Sequence, residues 1–128
     1  MEEKLLSFTP RHVSLGAILQ DHKLASLGDA YVNFVCSLAL SMKRGEAAGT
    51  KVNSQILSQA LKEARLREFL PSRMDRHTLG DAAEALIVYA WLRRAITIEE
   101  SIATILSSSD IAEAFANLLL LARERLNL

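Results

Sequence analysis

Residues 24–43 read LASLGDAYVNFVCSLALSMK. Leu24, Leu27, Tyr31, Phe34, Leu38 and Met42 recur every three or four residues, which predicts a helix, and only Gly28 interrupts the run. The opposite side carries Ala25, Val32, Cys36 and Ala39, so this helix is apolar almost all round and is expected in the interior. A second stretch behaves the same way. Asp75 can cap a helix running to about Arg94, and from Ala82 to Leu92 it is again apolar on nearly every side. Two interior helices of this kind must pack on each other, and the fold class that follows is all-α.

The remaining chain supplies the surrounding helices. A short helix is expected over residues 2–7, ended before Pro10, with another short segment over 14–20. Gly45 and Gly49 mark residues 44–51 as a loop. Asn53 or Ser54 caps a helix through SQILSQALKEAR whose inner face is Ile56, Leu57, Ala60 and Leu61, and a turn over 66–70 stops at Pro71. Thr97 with Glu100 forms a capping box for a helix to about Leu106, and Asp110 with Glu113 starts the last helix, ending near Leu126. Glycine and proline are sparse, and no strand-like run is bounded by turn signals, so no sheet is expected. No repeat or linker divides the 128 residues, which predicts one domain over 1–128, large enough to bury roughly two thirds of its unfolded surface.

Composition narrows the function classes. The longest unbroken apolar runs, such as 86–92 and 118–122, fall well short of the ~20 residues of a membrane span, and none is expected. The opening MEEKLLSFTPRH is acidic early and lacks an apolar core with a cleavage site, so it does not read as a secretory leader and the expected location is cytoplasmic. The single cysteine, Cys36, has no internal partner and reads as a buried structural thiol. Fifteen basic residues balance fifteen acidic ones, so no overall field draws the protein to nucleic acid. The balance is uneven along the chain: eight bases against four acids between Lys43 and Arg76, then seven acids against four bases from Gly80 onward.

Three acids stand out against these apolar helices. Asp29 follows Gly28 in the middle of the first, and an ionised acid buried there needs a partner. Asp81 and Glu84, three residues apart, share one face of the second. Two readings are open at this point. A hard divalent cation, Mg²⁺ or Mn²⁺, takes oxygen ligands and offsets clustered negative charge. Equally, basic residues such as Arg93 or Lys23 neutralise the acids, or the acids lie at helix ends in water.

The segments around these acids resemble a known family. KLASLGDAYVNF (23–34) resembles the ribonuclease III signature, in which leucine, glycine and aspartate follow a Glu-rich lead-in on a helix. GDAAEALIVYAWL (80–92) is similar to that family's second motif, an aspartate, two residues, a glutamate and then Ala-Leu-Ile, and a helix separates the two motifs as it does in the family. The resemblance runs over roughly 20–105 and leaves the last helix outside. It is closest in kind to compact stand-alone members, including archaeal ribonuclease III-like proteins, since no double-stranded-RNA-binding domain follows. The resemblance implies a helical catalytic domain that forms a homodimer and cleaves double-stranded RNA with Mg²⁺ or Mn²⁺. By motif position Asp29, Asp81 and Glu84 are the metal-binding and catalytic residues. Lys51, Arg73, Arg76 and His77 are expected on the RNA backbone, His77 also lying on the helix face of Asp81.

Two departures from the family pattern bear on activity. Four residues before Asp29, where larger members place a further ligating glutamate, this chain has Ala25, and next to it Ser26 replaces an aromatic used in dimer packing. His22 stands where another glutamate is usual. A three-carboxylate site holds its metal more weakly, so a catalytically inactive domain that binds structured RNA or a protein partner is the alternative expectation. A third, unrelated to RNA, is a helical interaction protein whose acids form internal ion pairs. Asn33 shares the face of Asp29 and is a candidate to support it, while Tyr89 and Trp91 are expected in the core or at an interface. His12, His22 and His77 are not spaced as a zinc set.

Overall fold

The computed structural model describes residues 6–128. Among them are six α-helices and no strand: α1 Leu15–Leu19, α2 His22–Arg44, α3 Ser54–Glu63, α4 Arg76–Leu92, α5 Ile98–Leu106 and α6 Ile111–Leu126, with a 3-10 turn over Arg67–Phe69. The helix expected over residues 2–7 lies mostly outside the described residues, and residues 6–8 form a turn.

Each helix starts on a side chain that accepts from its free N–H groups. Ser14, Asp21, Asn53, Asp75, Thr97 and Asp110 cap α1 to α6 in turn, each cap contributing about 1 kcal/mol. The Thr97–Glu100 box closes in both directions. At α6 Glu113 does not return to the Asp110 backbone: its carboxylate accepts from Ser108 Oγ, which in turn accepts from Asp110 N–H. Asp21 starts α2 two residues earlier than the sequence suggests, and at the other end Gly45 closes it with φ +73°, a left-handed turn where glycine carries no Cβ penalty. α4 stops at Leu92, where Arg93 and Arg94 turn the chain out of the helix.

The core is built round α4, which buries residues on every side from Leu79 to Leu92. α2 packs chiefly on it, α3 and α6 cover other faces, and α1 and α5 fill the ends. The two helices singled out by sequence are thus the central pair, but α2 is not interior all round. Leu24, Ala25, Tyr31, Val32, Val35 and Ala39 are buried, while Leu27, Phe34 and Met42 face outward, Phe34 with 55% of its surface exposed. The periodic run of the sequence therefore splits, because only one side of α2 has α4 to pack on. By length and apolar composition α2 is also the one described helix that meets the measure of a membrane span, a measure that a core helix meets as well. Its apolar composition is accounted for by a buried side on α4 and an exposed stripe.

Candidate active site

α2 and α4 run side by side in the same direction. His22 and Asp81 line one cleft near their starts, and Tyr31 stacks on Trp91 farther along, ring centroids 5.2 Å apart. Between these points the helices touch backbone to backbone, at Gly28. A Cβ at that position would overlap the carbonyl oxygen of Glu84 and lie 2.6 Å from its carbonyl carbon, so nothing larger than glycine allows this approach. The next residue, Asp29, is thereby brought to the Glu84 side chain, close enough for the two carboxyls to share a proton.

The three acids differ in environment. Glu84 is only 5% exposed, whereas Asp29 and Asp81 stand open to solvent, so the expectation of a buried Asp29 is corrected: it lies on the rim of the helix pair. Burial, then the hydrogen bond to Asp29, then the charges of Asp29 and Asp81 push Glu84 from its ordinary 4.5 up to about 8. Loss of solvation also raises Asp81; positive charge at His22 and His77 pulls it back, and Asp29 and Asp75 push it up. Asp29 accepts from Asn33 Nδ2 at 3.3 Å, and the Asn33 oxygen accepts from Val52 N–H at 2.8 Å, tying the loop that carries Lys51 to the acid-bearing face of α2. Supporting Asp29 and holding this loop are thus one task of one side chain.

No ion pair is formed by Asp29, Asp81 or Glu84 among the described residues, so neither Arg93 nor Lys23 neutralises them. A buried carboxyl with only another acid beside it suits a hard cation chemically, since an all-oxygen set with surplus negative charge is what Mg²⁺ or Mn²⁺ takes. The geometry is less complete than the chemistry. Asp29 and Glu84 are brought together, Asp81 shares their field, and yet no group of three His, Cys, Asp or Glu side chains among the described residues is placed to hold a metal ion. The residues that would hold one are Asp29 and Glu84, with Asp81 beside them.

Ala25, the position of the departure noted above, is buried at the edge of a small cleft of about 100 Å³ that Asp81, His22, Thr78, Met74 and Asp21 also line. His22 thus faces Asp81 across the place left by the shorter side chain, a juxtaposition visible only once α2 and α4 are paired. His77 is exposed and acts on Asp81 through charge, with no hydrogen bond between them. Lys51, Arg73 and Arg76 are all exposed. Arg76 lines a polar groove of about 270 Å³ with Lys62, Gln55, Ser58 and Gln59, and Met74 forms the wall between that groove and the cleft of Asp81. Cys36 is half-buried, and burial pushes its thiol up, away from the reactive thiolate. Tyr89 is buried, its hydroxyl accepting from His12 N–H.

A protein-family model described as Ribonuclease III matches residues 22–128. The match takes in α6, which the motif comparison had left outside. No curated protein matches the chain.

Proposed function

The chain belongs to the ribonuclease III family, and from that premise we propose that it is a metal-dependent endoribonuclease that cuts double-stranded RNA as a homodimer. The observation that carries this reading is the Asp29–Glu84 pair, held at the Gly28 crossing with Asp81 in its field and no basic side chain paired to any of the three. A fold that only needed stability gains nothing from a buried acid placed against another acid. The family works with divalent metal; when bound at such a site, the ion supplies a more acidic water and positive charge for the oxygens of the reacting phosphate.

The chain's own groups do the rest. Glu84 and Asp29 present oxygens from two helices whose separation is set by backbone contact, and Glu84 would give up its proton to hold the ion. Asp81 has the imidazoles of His22 and His77 near it at the rim, where a phosphate approaches. Lys51, Arg73, Arg76 and His77 contact the backbone of the duplex, reading its shape rather than its sequence. The exposed stripe of Leu27, Phe34 and Met42 on α2 is the surface for a second copy.

The test is cleavage of a perfect RNA duplex with Mg²⁺ or Mn²⁺. Wild-type protein yields short 3′ overhangs, and Asp81→Asn folds normally but loses cleavage by at least about 10²-fold. Undiminished cleavage by Asp81→Asn overturns the assignment. One observation favours a second reading, a domain that binds structured RNA without cutting it: Ala25 leaves the cleft beside Asp81 one carboxylate short. It predicts duplex retention with no cleavage at any metal concentration.

A further inference from the structure

Arg67 is half-buried in the 3-10 turn, and no carboxylate pairs with it among the described residues. Its guanidinium is directed at backbone instead. Nη1 donates to the carbonyls of Leu70 (3.3 Å) and Pro71 (2.7 Å), and Nη2 donates to that of Ser72 (2.7 Å). These are three consecutive carbonyls of a segment with no helix of its own, so one side chain supplies the hydrogen bonds that a regular element would otherwise provide. The planar fork of arginine suits this; a lysine ammonium is a compact point charge and cannot span the same set.

What the segment carries gives the contact its meaning. It leads directly into Arg73, Met74, the cap Asp75 and Arg76. Met74 is the wall between the cleft of Asp81 and the polar groove of Arg76 and Lys62. Without the Arg67 contacts, residues 71–73 hang between the turn and Met74, which packs on the core, and the placement of Arg73 relative to the carboxylates is free to vary, whereas Arg76 is held by α4 itself. The geometry points to Arg67 as a positioning residue for nucleic acid: it does not touch RNA, but fixes residues 70–72 so that Arg73 meets the phosphates of a duplex beside Arg76 and the acid site. This inference rests on the duplex-RNA reading above.

The experiment compares Arg67→Gln and Arg67→Lys with wild type by amide hydrogen exchange, by duplex affinity with metal chelated, and by kcat and KM. Arg67→Gln speeds exchange at Leu70 and Thr78, whose amides are bonded at the two ends of the segment, while residues 86–90 of α4 are unchanged. It weakens duplex binding about tenfold, an effect carried by KM and not by kcat. Arg67→Lys restores only part of either. In an Arg73→Ala/Arg76→Ala background, Arg67→Gln costs no further affinity. An equal loss in that background overturns the proposal, because Arg67 then contacts RNA itself; so does unchanged exchange at Leu70 and Thr78. A wild-type protein that holds no duplex, while Arg67→Gln still speeds exchange at Leu70 and Thr78, refutes the ribonuclease reading and leaves the anchoring of this segment by Arg67 established.

Discussion

Glu84→Gln removes the ionisable group of the most deeply buried acid while keeping its shape, and its effect on stability reverses the usual expectation for an active-site change. In the folded chain the carboxyl titrates near 8, against an ordinary 4.5. A group whose folded value is raised favours the folded state fully below the unfolded value, and that contribution is lost as pH rises from about 4.5 to 8. At about 1.4 kcal/mol per pH unit the ceiling is on the order of 5 kcal/mol. The open flank at Asp29 and Asp81 admits water and lets the site relax, which brings the expected figure to about 1–3 kcal/mol. Metal-free wild type therefore loses stability between pH 5 and pH 8.5; Asp81, raised from its ordinary 3.8, acts in the same direction from a lower pH upward. The amide introduced by Glu84→Gln keeps the hydrogen bond toward Asp29 and carries no charge, so the variant matches wild type at pH 5 and exceeds it at pH 8.5 in urea denaturation. Mg²⁺ at the higher pH then stabilises wild type and leaves the variant unmoved. A variant less stable than metal-free wild type at pH 8.5 refutes the reasoning, since it shows that the buried carboxylate is compensated by something other than a cation.

Gly28→Ala gains about 1 kcal/mol of helix propensity but forces α2 and α4 apart by about 1 Å, for a net loss of about 1–3 kcal/mol; a urea midpoint at or above that of wild type contradicts the close approach. The same shift separates Asp29 from Glu84, so cleavage falls by about 10²-fold even under conditions where the variant is fully folded. Phe34→Asp places a charge in the exposed stripe of α2, and light scattering should find it at half the mass of wild type with its unfolding otherwise intact; equal masses for the two proteins remove this stripe as the dimer surface.

The periodicity of residues 24–43 and 82–92 was enough to name the central pair of helices, and the caps at Asn53, Asp75, Thr97 and Asp110 were legible because capping is local chemistry. Which side of α2 faces α4 was not legible, since Leu27 and Phe34 are as apolar as Leu24 and Val35 and differ only in what lies opposite. The acids show the same division. Their spacing put Asp81 and Glu84 on one face, but the contrast between a buried Glu84 and open Asp29 and Asp81 depends on where the helix crossing falls. Gly28 carried the missing signal: a glycine inside a strongly apolar helix marks close backbone approach. Arg67 carried none, because its partners are carbonyls, which every residue has.

The contact of Gly28 with Glu84 joins parts of the chain 56 residues apart in a molecule whose helices otherwise form from local sequence. Such long-range closures come at greater entropic expense than helix formation and weigh heavily in the folding time of small domains. Until that closure is made, Asp29 and Glu84 belong to separate helices, free in water, and neither titrates abnormally nor shares a ligand. The acid pair therefore comes into being with tertiary closure rather than with the secondary structure, and a chain emerging half-made from synthesis can wind its first helices while the centre they will build does not yet exist.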